Sequence, residues 1–356
     1  MMQPIGGYFS LELKEGREYH ASAIRLNAGR YALEYILKTR KYKKVYIPYY
    51  ICDSVLQPFE RLGIAYEFYH IDEQLEPADK LQPKDDEAVL YVNYFGLKNR
   101  YASSFCYAYR NTILDQTQAF YSEQGNKAAI EREQNQACLG FAEREQARQK
   151  VKYEDKSIQC DTFYSCRKYF GVPDGAYLYT DCLLGEEMPQ DESFERMTFL
   201  TKRIDRSPQE GYADFHTNDK AMSTVGMKRM SKLTEAMMQG IDYSAKANKR
   251  IRNFHVLDKA LRETNRFKWD MDYGTVPLVY PYCVEDGTRL RQHLINHQVF
   301  CARYWPNVLD WCKPGDWEYQ LTENLVCIPI DQRYGEEEMH CIINVIRNYN
   351  GTNSVI

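Results

Sequence analysis

Apolar residues recur along this chain with two alternating periods. Ala32, Leu33, Ile36 and Leu37 share one face of a helical wheel, so a helix is predicted from the small turn at Ala28-Gly29 onward. Short apolar runs at 44–48, 65–71, 88–95 and 112–115, rich in aromatic and β-branched residues, predict strands. Between them, 52–62 and 101–109 carry helical patterns, with Pro58 an awkward residue inside the first. Residues 161–179 read as a strand, a shape-restricted turn through Gly171, Pro173 and Gly175, and a second strand. Strands alternating with helices predict an α/β domain with a mainly parallel sheet, whose ligands gather at the carboxyl ends of the strands.

The rhythm then changes. Helices are predicted over 195–206, 227–241 and 243–264, with 211–215 a loop or extended segment between them. A strand at 275–283 carries Pro277 and Pro281, which point to an edge or bulge. A helix over 286–297, a short strand over 325–330 and an amphipathic helix over 336–349 close the chain. From about Asn265 this is a small α/β unit. The expected division is a large domain at 1–242 and, at 243–356, a linking helix with a small C-terminal domain. Residues 122–156 break the pattern. They are rich in Glu, Gln, Arg, Lys and Ala, repeat Glu-Arg-Glu-Gln at 131–134 and 143–146, and read as a solvated, charged insert.

Composition narrows the function. A net charge of −4 gives no basic footprint for nucleic acid. No apolar run is long enough to span a bilayer, and the first residues lack a signal-peptide pattern. The 11 cysteines are odd in number, scattered and without a C-x-x-C pair, which predicts a reduced, cytoplasmic protein with free thiols. His293 and His297 lie four apart, but no Glu follows the first as a metalloprotease requires, so they read as helix-surface residues.

Three places carry candidate chemistry. Lys168 lies at the end of a strand before a rigid turn and among aromatic residues. It reads either as a surface lysine or as an amine that desolvation frees to attack an aldehyde. Gly29 is either an ordinary helix start or a place where exposed N–H groups meet a phosphate. Asp115 ends a strand, as a turn residue or as a ligand-facing carboxylate.

Taken in order, these segments resemble the DegT/DnrJ/EryC1/StrS family of sugar aminotransferases, fold type I enzymes dependent on pyridoxal 5'-phosphate (PLP). Asn27-Ala28-Gly29-Arg30-Tyr31-Ala32-Leu33 resembles the family's S-G-T-x-A-L turn, and Asp115-Gln116-Thr117-Gln118-Ala119 its D-x-A-Q-A run. Lys168 with Pro173-Asp174-Gly175-Ala176 resembles K-x4-G-E-G-G. Residues 229–236 resemble R-M-S-E-L-Q-A-A, and 325–330 resemble the final L-C-L-P strand. The resemblance covers most of the chain outside the insert.

The resemblance implies a set of roles. Lys168 would hold the cofactor as its Schiff-base lysine, and Asp115 would keep the ring nitrogen protonated. Gln118 would contact the phenolic oxygen. Backbone groups around Ala28, Gly29 and Arg30, with the hydroxyl of Ser165, would bind the phosphate. Some positions depart from the family. Its ring-stacking aromatic maps to Cys52 and the neighbouring threonine to Ile51, leaving Tyr50 as the other stacking residue. A serine five residues before the lysine is Phe163, and an asparagine given by the neighbouring subunit is Met227. The implied activity is transfer of an amino group, by family habit from glutamate, to a keto group of a nucleotide-linked sugar. The setting would be surface polysaccharide biosynthesis and the protein a homodimer. The alternatives are a PLP-dependent sugar dehydratase, against which Lys168 argues because family dehydratases carry histidine there, and a PLP-binding protein without transaminase activity.

Overall fold

The computed structural model describes residues 5–123, 159–272 and 274–353. Nearly all of the charged insert lies outside the described residues. The strands β1 (Ile24–Leu26), β2 (Lys44–Pro48), β3 (Ala65–Tyr69), β4 (Glu87–Val92), β5 (Asn111–Asp115), β6 (Gln159–Ser165) and β7 (Ala176–Tyr179) form one sheet. Its order is β1-β7-β6-β5-β4-β2-β3. From β3 across to β6 every pairing is parallel, while β7 runs antiparallel to both β6 and β1. Every residue of β4 is buried, as a strand covered on both faces requires, whereas β3 leaves its first three residues exposed at the edge. The strand β1 had no signal in the sequence, being only three residues long.

Helix α1 (Gly29–Arg40) lies against this sheet with Tyr31, Ala32, Leu33, Tyr35, Ile36 and Leu37 buried. It ends at Lys41 in the left-handed conformation. Pro58 proves harmless. It sits in the first turn of α2 (Leu56–Leu62), where its missing N–H would have no helical partner. The third helix, α3 (Asn99–Phe105), precedes β5. The strands β8 (Val279–Cys283) and β9 (Leu325–Pro329) pair antiparallel in a second sheet, and this two-stranded setting accommodates Pro281.

Three expectations change. Residues 211–215 begin a helix, Tyr212–Ala221, although Asn218 is its only buried residue and no apolar stripe announces it. The helix predicted over 227–241 starts only at Lys232. Residues before it run extended, with Arg229 bridged to Leu26 and Gln190, and Ser231 caps the helix by accepting from the N–H of Thr234. The cysteines are not all free, because Cys106 and Cys160 are paired as a disulfide with their Cα atoms 5.7 Å apart. The residues come from the end of the α3 segment and from β6, which tertiary folding alone brings together.

The abundant tyrosines act as clamps. Buried hydroxyls donate to distant carbonyl oxygens: Tyr31 to Met222, Tyr69 to Leu90, Tyr91 to Leu75, and Tyr94 to Tyr50. Each ring fills core volume while its polar tip satisfies a buried backbone group. A second device joins the helix Tyr243–Leu261 to the lysine turn. The fully buried Arg250 donates to the carbonyls of Leu278 and Tyr169, lies 4.5 Å over the Tyr169 ring, and is met by Gln332, whose amide also reaches the Tyr169 carbonyl.

Candidate active site

A cavity of about 430 Å³ opens at the carboxyl ends of β4, β5 and β6, beside the N-terminus of α1. Parallel strands place their carboxyl-end residues side by side. Asp115 is in register with Val92 on one side and Phe163 on the other. The turn after β6 then brings Lys168 back over the strand ends. Its Nζ donates to Thr117 Oγ1 at 2.8 Å. Thr117 N–H in turn donates to Asp115 Oδ1 at 2.8 Å, so the amine and the carboxylate are tied through one residue.

Burial raises the proton affinity of Asp115, opposed by the charge of Lys168 and by the hydrogen bonds from Thr117. A cation beside Asp115 therefore favours its carboxylate form. Lys168 itself is exposed. Of the two readings of Lys168, its exposure matches the surface lysine rather than the desolvated amine, because the turn leaves this side chain open to the cavity.

Gln118 is fully buried on the cavity wall. Its Oε1 accepts from the N–H of Phe95 at 2.7 Å, while its Nε2 has no partner. Gly29 forms a close floor: a Cβ there would stand 3.2 Å from Thr117 Cγ2. Ala28, Arg30, Cys52 and Ser165 also line the cavity. Arg30 Nη1 donates to Gln57 Oε1 at 2.8 Å. The Cys52 thiol accepts from Ser54 Oγ at 3.1 Å, and burial raises its pKa.

Tyr50 is the exception among the residues expected at the site. It is completely buried behind the cavity wall, with its ring 5.0 Å from Trp305 and 5.6 Å from Tyr94. The chain leaves β2 with this side chain turned into the core, so it cannot stack on anything in the cavity. Trp305 lines the cavity instead. Nothing in the sequence near Trp305 marks it, since it arrives from the C-terminal part of the chain. Thr117, Phe163, Arg167, Phe215, Asp219 and Lys220 also line the cavity without having been singled out as site residues. Thr117 sits inside the quoted D-x-A-Q-A run, and Arg167 is the neighbour of Lys168.

A second cavity, of about 370 Å³, lies between Leu97-Lys98 and residues 266–270. Its charged groups are already matched, Arg266 with Glu73 and Lys98 with Glu76, and none of the residues singled out from the sequence reaches it.

No family model matches the chain, nor does any curated protein. Solved structures do. A DegT DnrJ EryC1 StrS aminotransferase from Brucella abortus is similar over 92% of this chain and 86% of its own, with 17% identity and a TM-score of 0.55. The sugar aminotransferase CalS13 from Micromonospora echinospora is similar over 92% and 88%, with 12% identity and a TM-score of 0.56. NtdA from Bacillus subtilis, with bound cofactor PMP, is similar over 91% and 73%, with 14% identity and a TM-score of 0.56. Likeness at these identities shows a shared fold, the fold type I arrangement expected from the sequence.

Proposed function

We propose that this chain is a PLP-dependent aminotransferase acting on a sugar, with a nucleotide-linked keto sugar as acceptor and an amino acid such as glutamate as donor. One observation carries the reading. The cavity unites an accessible amine, a buried carboxylate and an orphaned amide donor, at Lys168, Asp115 and Gln118, on a fold shared with sugar aminotransferases.

These residues fit the cofactor. The unpartnered Nε2 of Gln118 awaits an acceptor, and the bare Gly29 floor leaves room that a side chain would fill. Asp115 is buried at the end of β5 on the cavity wall, with Oδ1 held by Thr117 N–H, where a protonated ring nitrogen would favour its carboxylate form. When bound, PLP supplies an electron sink for charge developed at the substrate carbon. Lys168 Nζ, oriented by Thr117 Oγ1, would hold the cofactor and would serve as the group that moves a proton at the reacting carbon. The Gln118 amide would donate to the phenolic oxygen, and Trp305 and Cys52 wall the cavity. Residues 1–242 hold these groups, except Trp305, which the smaller unit at 243–356 contributes.

The protein is proposed to be a cytoplasmic homodimer serving surface polysaccharide biosynthesis. Among the described residues no helix is long and apolar enough to cross a membrane. Exposed apolar groups offer a surface for a second copy: Tyr8 and Phe9 on the N-terminal arm are 98% and 96% exposed, and Phe215 at the cavity is 40% exposed.

Incubation with PLP and borohydride, followed by mass spectrometry, tests the reading. The wild-type chain should gain one reduced cofactor adduct at Lys168, and Lys168→Ala should gain none while keeping its far-UV spectrum. An adduct retained by the Ala variant would refute the assignment of Lys168. If glutamate leaves the absorbance of the loaded wild-type protein unchanged, the protein is a cofactor-binding relative rather than a transaminase.

A further inference from the structure

Around the N-terminus of α1 the cavity gathers positive charge that the protein leaves poorly balanced. Arg30 enters from α1, Arg167 from the lysine turn, and Lys220 from the helix Tyr212–Ala221. Arg167 is mostly buried, and one of its nitrogens is anchored by Asp219 at 3.1 Å. The remaining donors of a five-donor guanidinium are left for other partners. Burial depresses the proton affinity of Arg167 against the upward pull of Asp219, and the charge of nearby Arg30 adds a smaller lowering. Lys220 Nζ makes no hydrogen bond or ion pair among the described residues. Of the other carboxylates of the cavity, Asp115 lies near Lys168, and the exposed Asp53 makes no ion pair with Arg30, Arg167 or Lys220 among the described residues. Opposite, the ring of Phe163 approaches Gly29 and offers no hydrogen bond. A mostly buried guanidinium with donors to spare, beside an unpaired ammonium and a helix N-terminus, favours an anion between them.

We infer that Arg167 and Lys220, with Arg30 and the first backbone N–H groups of α1, form a phosphate-dianion site that takes the phosphate of the cofactor. The inference rests on the PLP reading above. The same chemistry would suit the diphosphate of a nucleotide-linked sugar. Chain geometry favours the cofactor. Arg167 adjoins Lys168, and a small rigid molecule held covalently by Lys168 keeps its own phosphate within reach of the neighbouring residue. A helix start and a guanidinium fork both present N–H groups to oxygen, and a dianion offsets two of the unbalanced charges. Arg167 and Lys220 are thus binding residues that replace hydroxyl contacts with charge.

The test compares PLP with pyridoxal, which lacks the phosphate, and with UDP. Affinities are read from tryptophan quenching on the wild-type chain, Arg167→Gln and Lys220→Gln. Lys220 is exposed, so its variant keeps the fold whatever Arg167→Gln does. Each variant should weaken PLP by roughly tenfold to a hundredfold, the scale of one charge-assisted contact, and leave pyridoxal and UDP within about twofold. Inorganic phosphate should compete with PLP on the wild-type chain. Unchanged PLP affinity in both variants overturns the site, as does equal weakening of PLP and pyridoxal. Loss of UDP with PLP intact assigns the cluster to substrate and overturns the cofactor assignment. A wild-type chain that binds PLP no better than pyridoxal overturns the phosphate site alone. One that binds neither overturns the cofactor reading with it.

Discussion

Acidification should destabilise this protein through His20. The residue is 4% exposed and sits in an aromatic cage, with its ring 4.2 Å from that of Tyr164 and 4.8 Å from that of Phe120. Its Nε2 donates to the Phe120 carbonyl at 2.8 Å, and Nδ1 lies 3.1 Å from Tyr179 Oη, an arrangement that suits the neutral ring. Burial pushes its pKa down from 6.5 to about 4, against a smaller upward pull from the Phe120 carbonyl. The folded pKa is the lower one, so between these values the unfolded chain binds more protons. Stability is therefore lost as pH falls through about 6.5, and the loss is complete below about 4. At 1.36 kcal/mol per pH unit the full interval amounts to ~3 kcal/mol, of which ~2 kcal/mol is gone by about pH 5. Urea unfolding of wild type and His20→Phe at about pH 8 and about pH 5 measures it. The variant loses the Phe120 hydrogen bond at every pH, ~1 kcal/mol, but should be spared the proton-linked loss. The gap between the two proteins should therefore close or invert at the lower pH. Parallel loss of stability in both would show that His20 is not held neutral by its cage.

Gly29→Val should weaken PLP binding about tenfold by equilibrium dialysis with little change in urea midpoint, because the new side chain pushes Thr117 away from Lys168. Unchanged binding would mean that Thr117 gives way without disturbing the amine. Arg40→Met should cost ~3–5 kcal/mol in unfolding free energy, since the guanidinium fork holds the fully buried Asp161 at 2.9 and 2.7 Å. Adding Asp161→Leu should recover much of that loss, and failure to recover any would place the damage in packing rather than in the abandoned carboxylate.

Much of the sheet and the centre of the site were legible because their signals are local. The run in β4 is apolar throughout, α1 carries its buried face in four spaced residues, and Asp115 and Lys168 sit at strand ends marked by composition. What escaped depends on partners distant in sequence. The helix Tyr212–Ala221 has Tyr212 and Phe215 exposed, and its docking residue is an asparagine whose amide meets the Pro173 carbonyl, so hydrophobic periodicity had nothing to report. The extended stretch before Lys232 reads as helix by composition, but Arg229 is claimed by Leu26 and Gln190. Tyr50, expected at the cavity, is buried behind it and the unforeseen Trp305 lines it for the same reason. Which of two aromatic residues faces a cavity is settled by packing between segments about 250 residues apart, not by either neighbourhood. Two of the three cations in the proposed phosphate site, Arg167 and Lys220, were equally silent, because a lone basic residue has no pattern until folding brings others beside it.

The pairing of β5 with β6 has a consequence for how such a protein changes over generations. Asp115 owes its position to its register with Phe163 and to the bonds that carry the ladder past it, from Gln116 N–H to the Phe163 carbonyl and from Asn93 N–H to its own. Of the chain that joins the two strands, only its first residue, Gln116, takes part in these bonds. Doubling the length of such a connection costs only ~0.6 kcal/mol in closure entropy. Insertions in that connection beyond its first residues, which carry Thr117 and Gln118, are therefore close to neutral for the chemistry, while a one-residue slip within β5 turns the carboxylate to the opposite face of the sheet. Selection can lengthen, shorten or replace the later part of that connecting chain as a separate trait, and the reactive centre, Thr117 and Gln118 included, is inherited intact.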